Sequence, residues 1–315
     1  MARLRVGLAL GAGGTKGMAH VGVLKALHEA RIPLDCIAGA SIGAIFGAGY
    51  AAGRAPDEMV RGVNQTGTRH VLDFFRHGLR LDRDNPLART FRKAFEGLTF
   101  EQLEIPFTAV AADVLEKRPV FITDGELIPA LEASIAVPFV AKPVEWRGRL
   151  LVDGGFWEPA PISAAAYLGA DVIISVELGD PLALPQRLRP AARWLASLFD
   201  TSRPATAAPP VEGANPPSRS RDRLMSAPFV LRAVSEAPCP PPEAHVSIRP
   251  DLRGLVGGTA LNLREAMLRG EEAAWRAMPR VRALVRGETP PSSANRNGHH
   301  GSSDPKTGAG LAAGR

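Results

Sequence analysis

Short apolar runs closed by glycine, each followed at once by residues at helical spacing, occur twice in the first fifty positions. Leu4–Leu10 is a largely apolar run that ends at Gly11, and Met18–Ala30 then places Val21, Val23, Leu24 and Leu27 on one helical face until Ile32-Pro33 stops it. Cys36–Ala40 is a second run, and Ile42–Ala52 a second helix made mostly of Ala and Gly. Strands with no polar face must be covered on both sides, and a helix between consecutive strands supplies the crossover that a parallel pair needs. The rest of the chain keeps the alternation. Strands are expected over Pro106–Val114, Pro119–Thr123, Arg149–Val152, Asp171–Leu178 and His245–Arg249, and helices over Leu127–Ala136, Ser163–Leu168 and Asn262–Met278. The fold class this predicts is α/β, a mostly parallel sheet between helical layers.

With 315 residues, 45% of them apolar, the chain can bury a large core. Not all of it reads as core. Thr201–Glu243 contains ten of the 28 prolines and cannot bury enough to offset its ordering, although Met225–Glu236 within it is apolar enough for one short helix. From about Arg286 to Arg315 the chain is Gly, Ser, Asn, Pro and Thr, the composition of a disordered tail. The expected organisation is one domain over 1–284, with a helical insertion at 54–104, a Pro-rich insertion at 201–243 and a tail at 285–315. Two cysteines, Cys36 and Cys239, exclude a disulfide scaffold or a multi-Cys zinc site. No apolar run reaches membrane-spanning length, and glycines cut short the apolar segment after Met1-Ala2-Arg3, so a cytoplasmic protein is expected. The net charge of +6 permits an anionic partner, but few aromatics and no recognised binding motif argue against nucleic acid.

Three turns carry the chemistry. Gly11-Ala12-Gly13-Gly14-Thr15-Lys16-Gly17 joins the first strand to the first helix and presents backbone N–H groups at a helix N-terminus, an anion site. A dinucleotide pyrophosphate, a triphosphate or the oxyanion of an acyl-transfer intermediate would each suit it. Lys16 stands where a dinucleotide fingerprint needs glycine, and the P-loop spacing is absent. Gly39-Ala40-Ser41-Ile42-Gly43 is G-x-S-x-G between a strand and a helix, the context of an elbow that exposes a nucleophilic serine; it also fits a plain Gly/Ser turn. Asp153-Gly154-Gly155 ends an apolar strand, as a catalytic acid or as an ordinary Asp-Gly turn. No histidine after Ser41 suits a triad base. His70 and His77 lie in an Arg-rich insertion, His245 starts a strand, and His299 and His300 are in the tail.

Taken in order, these turns resemble the patatin-like phospholipase family. Leu10–Leu27 is similar to its glycine loop and first helix, Ile37–Gly53 to its elbow, and Ala133–Leu178 to its S-x-A-x-P…D-G-G…P…L-G-A-D block. His245–Ala277 resembles the I-x-P-D-L and G-x-x-A-A endings of bacterial members. The resemblance implies a three-layer α/β/α sandwich and a Ser–Asp dyad. Ser41 would be the nucleophile, Asp153 the base, and the Gly13 and Gly14 amides the oxyanion hole. Gly11, Lys16, Gly17, Gly39, Gly43, Gly154 and Gly155 would support the three turns. It further implies a lipid ester substrate, phospholipid or lysophospholipid, with no cofactor and no metal; a generic carboxylesterase fits the same residues, and no acidic cluster or EF-hand loop calls for calcium. A transient contact with anionic membrane at its inner face would follow.

Two departures from the family pattern are visible. Ala12 stands where many members have glycine, and Phe156-Trp157-Glu158-Pro159 sets two large rings beside Asp153, where they would narrow an acyl site. Val137-Pro138-Phe139-Val140 is bulkier than usual as well. These departures keep a catalytically silent lipid-binding relative in play. A dinucleotide-dependent oxidoreductase is the other alternative, and it leaves Ser41 and Asp153 unexplained. Arg54–Lys93, with nine Lys/Arg against five Asp/Glu, reads either as a lid that docks on membrane or as an outer layer with core-facing Leu and Phe. Arg187–Phe199 carries the same ambiguity.

Overall fold

A computed structural model describes residues 3–65, 86–116, 118–137, 141–179, 243–255 and 259–288. The elements run β1 (Val6–Leu10), α1 (Met18–Glu29), β2 (Cys36–Ala40), α2 (Ile42–Ala51), α3 (Pro56–Gln65), α4 (Pro86–Phe95), β3 (Phe107–Asp113) and β4 (Arg118–Ile122). There follow α5 (Leu127–Ser134), β5 (Val144–Trp146), β6 (Arg149–Asp153), α6 (Ile162–Tyr167), β7 (Val172–Val176), β8 (Val246–Ile248) and α7 (Ala260–Val285).

One mixed sheet organises them. β8, β7, β1, β2 and β3 are parallel neighbours, and β1, β2, β3 and β7 are buried along their whole length, as the unbroken apolar runs require. β4, β5 and β6 are antiparallel. Successive residues of each strand feed opposite layers. Leu8, Leu10, Ile37, Ala109, Ala111, Ile174 and Val176 join the large core with α1, α2, α5 and α7. Ala9, Ala38, Ala40, Val110 and Ile173 face the other way, onto Ala164 and Ala165 of α6. The result is an α/β/α sandwich around a mostly parallel sheet.

The sharing of β3 positions the site. β4 pairs along one edge of β3, from Ala109 to Asp113. The opposite edge is divided: Phe107–Val110 pair in parallel with Ile37–Ala40 of β2, and Ala111–Asp113 pair antiparallel with Leu151–Asp153 of β6. β2 and β6 therefore run toward each other along one edge and meet end to end. Ala40 is opposite Val110 and Asp153 is opposite Ala111, so Ser41 and Asp153 emerge at the same junction.

Several boundaries differ from expectation. β5 forms a hairpin with β6 through Arg147-Gly148, both at positive φ (47° and 77°), the backbone of a type I′ turn. α7 runs past Pro279 to Val285, because Val281 and Ala283 bury the last turns while the proline ring lies on the exposed side. Its middle crosses α1 at backbone contact, where a Cβ on Gly22 would lie 1.9 Å from the Met267 carbonyl oxygen. In the 54–104 stretch, α3 and α4 contribute Met59, Val63 and Phe95 to the main core, as an outer layer does. The rest of that stretch, 66–85, lies outside the described residues, as do Arg187–Phe199, Met225–Glu236, Cys239 and the tail from 289. No described helix is long and apolar enough to cross a membrane.

Candidate active site

Ser41 occupies the turn between β2 and α2 at φ 56°, ψ −128°, a conformation that side-chain-bearing residues rarely adopt. The residues two places to either side must be glycine. A Cβ on Gly39 would lie 2.5 Å from the Ala44 Cα, and one on Gly43 would lie 2.2 Å from the Leu10 carbonyl oxygen. The turn is therefore an elbow pressed against the end of β1, with the N-terminus of α2 directly behind the serine.

The glycine loop packs on that elbow. Gly17 faces Ile42 so closely that a Cβ would lie 2.2 Å from its side chain. The Gly11 and Ala12 amides are used structurally, donating to the Val176 carbonyl (3.0 Å) and the Pro159 carbonyl (2.8 Å). The next two, on Gly13 and Gly14, donate to no described residue. Gly14 is left-handed (φ 54°) with open space where a side chain would project. Lys16 closes the turn through its amide, which donates to the Gly13 carbonyl at 3.1 Å, and its half-buried side chain has no partner among the described residues. Ala12 keeps negative φ, so its methyl group costs the loop nothing in backbone strain; it packs against Gly155, where a Cβ would lie 2.3 Å away.

Asp153 ends β6 with its amide donating to the Ala136 carbonyl at 3.0 Å. Its carboxylate accepts the Gly155 amide at 2.7 Å, and the Ser41 hydroxyl is near enough to favour its ionised form. Gly154 fits against the Val110 carbonyl, 2.4 Å from where its Cβ would be. Burial pushes the Asp153 carboxyl from 3.8 up to about 7, and the nearby Ser41 hydroxyl and the Gly155 amide, which favour the ionised form, only partly offset this. A carboxylate in that range takes a proton at neutral pH far better than one in water. The three turns thus meet at one junction: Gly17 and Gly43 seat the glycine loop on the elbow, and Ala12 packs on Gly155.

The aromatic pair packs on the other face of the sheet. Phe156 and Trp157 pack with Ala112, Val114 and Val152, whose side chains leave the sheet on the face opposite Ala111 and Asp153. Glu158, buried, caps α6 by accepting the Ser163 amide (2.9 Å) and hydroxyl. Residues 138–140 of the bulky proline segment lie outside the described residues. No described histidine bonds either Ser41 or Asp153. His245 instead accepts the Ile173 amide, and the other four after Ser41 lie outside the described residues. Sequence reasoning overlooked His20, fully buried in α1, whose Nε2 donates to the Gly11 carbonyl at 2.7 Å. Burial pulls it down to about 4, so at neutral pH it is an uncharged clamp on the glycine loop. Among the described residues no cluster of His, Cys, Asp or Glu is placed to hold a metal ion.

The chain is similar to several known proteins. An uncharacterized NTE family protein of Mycobacterium tuberculosis is 39% identical over 210 residues, 63% of this chain and 58% of that protein. A lysophospholipase of Aspergillus fumigatus is 32% identical over 224 residues, 68% of this chain and 14% of that protein. The chain thus spans little more than half of the mycobacterial relative and a small part of the fungal one. Among solved structures, VipD from Legionella pneumophila superposes with a TM-score of 0.48 at 13% identity, covering 91% of this chain and 67% of that one. The sequence model of the patatin-like phospholipases matches residues 8–166, a span that contains all three turns. The chain belongs to the patatin-like phospholipase family.

Proposed function

We propose that the chain is a serine acyl hydrolase that cleaves lipid carboxyl esters through a Ser41–Asp153 dyad. The observation that carries this reading is the meeting of β2 and β6 on one edge of β3, which sets a strained serine against a buried carboxylate. Ionised Asp153 takes the Ser41 proton as Oγ attacks the ester carbonyl. The oxyanion forms within reach of the Gly13 and Gly14 amides, each such donor contributing about 3 kcal/mol to comparable transition states. Asp153 then returns the proton to the departing alcohol, and water releases the acyl group from Ser41 by the same steps in reverse. Phospholipid or lysophospholipid is the favoured substrate, supported by family membership and by the lysophospholipase named among the relatives. Work at an anionic membrane surface on the cytoplasmic side fits that substrate.

The test is labelling with a fluorophosphonate probe, the adduct located by peptide mass spectrometry. One adduct per chain is expected on Ser41, forming at a rate that rises with pH and levels off with a midpoint near 7 as Asp153 ionises. Asp153→Asn should label at least ~10³-fold more slowly. Labelling elsewhere, or an unaltered rate in Asp153→Asn, would remove the dyad. A protein that binds vesicles but forms no adduct would be a silent lipid binder.

A further inference from the structure

The short segment Ser134-Ile135-Ala136, where α5 ends, lies outside all three turns yet holds the backbone of two. Ser134 is fully buried. Its hydroxyl donates to the Val110 carbonyl at 2.7 Å and accepts the Ser41 amide at 3.1 Å. Two residues later, the Ala136 carbonyl accepts the Asp153 amide at 3.0 Å. Val110 is the last residue of β3 paired with β2, and Ala111 the first paired with β6. One bracket therefore spans the point where the two strands meet and grips the nucleophile and the carboxylate by their main chains.

Ser41 needs such a grip. Its positive φ takes it off the β2–β3 ladder, and a buried amide without a partner is costly. A backbone bond also leaves the side chain free. With its amide held by the Ser134 hydroxyl, Ser41 keeps its own hydroxyl beside the Asp153 carboxylate, where it favours the ionised form. A second buried hydroxyl makes a useful contrast. Ser175 on β7 is equally enclosed, but its hydroxyl bonds Glu177 and Ser247 and neither partner of the dyad.

We propose that Ser134 is a positioning residue for catalysis, fixing the Ser41 backbone so that its hydroxyl stays aligned on Asp153. The inference rests on the dyad reading. In Ser134→Ala the Ser41 and Val110 groups lose their partner and the elbow relaxes. Misalignment on the scale of 1 Å costs ~10²-fold in rate, so a 10- to 100-fold fall is expected. Since the Ser41 hydroxyl supports ionised Asp153, loosening it also moves the pH midpoint upward from about 7.

The experiment compares full-length wild type, Ser134→Ala, Ser134→Thr and Ser175→Ala by fluorophosphonate labelling and by turnover of a nitrophenyl ester, each rate normalised to titrated active sites. Ser134→Ala should lose rate per site with KM within about twofold and a raised pH midpoint. Ser134→Thr, which keeps the hydroxyl, should recover most of the rate, and Ser175→Ala should label as wild type does. If Ser134→Ala does not fold, Ser134→Cys, similar in size but a poor hydrogen-bonding group, should show the same two changes in smaller degree. A wild-type rate and midpoint in Ser134→Ala, or in Ser134→Cys where that carries the test, would overturn the proposal, as would an equal loss in Ser175→Ala. A wild-type protein with no Ser41 adduct would remove the dyad and this role with it.

Discussion

Asp153→Asn should melt at a higher temperature than the wild type, and the difference should open with pH. The carboxyl titrates near 3.8 when exposed and near 7 in the folded protein. Below the lower value both states hold the proton and the site is neutral. Between the two, the unfolded chain releases a proton that the folded chain keeps, so folding loses stability as pH rises, and the loss is complete above about 7. The gap corresponds to roughly 4 kcal/mol at pH 8 as an upper figure. Asparagine reproduces the neutral form at every pH: its side-chain oxygen still accepts the Gly155 amide, and no charge is buried. The variant should gain about 2–4 kcal/mol at pH 8 and little at pH 4. His20 titrates on the acid side in both proteins, so its contribution cancels in the comparison. Denaturant melts of the two proteins at pH 4, 6 and 8 check this. An equal difference at all three values would mean that Asp153 is not held in a state that resists ionisation. Gain of stability with loss of labelling is the signature of a group kept for chemistry at the expense of the fold.

Much of this arrangement could be read from the chain. β1, β2 and β7 are apolar on both faces and stop at polar or glycine residues, so their number and parallel direction follow from pattern alone. The three turns were legible for a related reason: Ser41 and Asp153 each follow an apolar run directly and sit among glycines. What escaped was whatever depends on backbone groups meeting side chains far away in sequence. Ser134 and His20 act on the Ser41 amide and the Gly11 carbonyl, and nothing in their own neighbourhoods tells where those groups point. The β5–β6 hairpin was hidden because its turn carries arginine where asparagine or aspartate is usual. Arg147 is held left-handed by Asp124, 23 residues away, and by the ring of Trp146. The packing of the aromatic pair follows a simpler rule. Strand alternation puts Val152 and Asp153 on opposite faces, and Phe156 and Trp157 follow Val152.

A single methyl group at Gly43 should damage the protein more than one at Gly14, although Gly14 alone has the left-handed backbone. At Gly14 the added carbon meets nothing within 4 Å, so Gly14→Ala costs only the backbone preference, about 1 kcal/mol. At Gly43 it would lie 2.2 Å from the Leu10 carbonyl oxygen and 2.7 Å from that of Gly11, and neither is the end of a flexible side chain. Relief requires either α2 or the end of β1 to move. The first carries Ser41 away from Asp153, and the second carries the glycine loop away from Ser41. Overpacking against backbone falls at the upper end of the usual penalty, about 3 kcal/mol. Displacement of the loop adds a loss of labelling rate of ~10²-fold per folded molecule. Thermal melts and fluorophosphonate labelling of the two alanine variants side by side separate the effects. Gly43→Ala should be poor in both, and Gly14→Ala should keep a melting temperature within a few degrees of the wild type. Equal melting temperatures would mean that the elbow and the end of β1 are not in the backbone contact that sets the nucleophile beside its oxyanion loop.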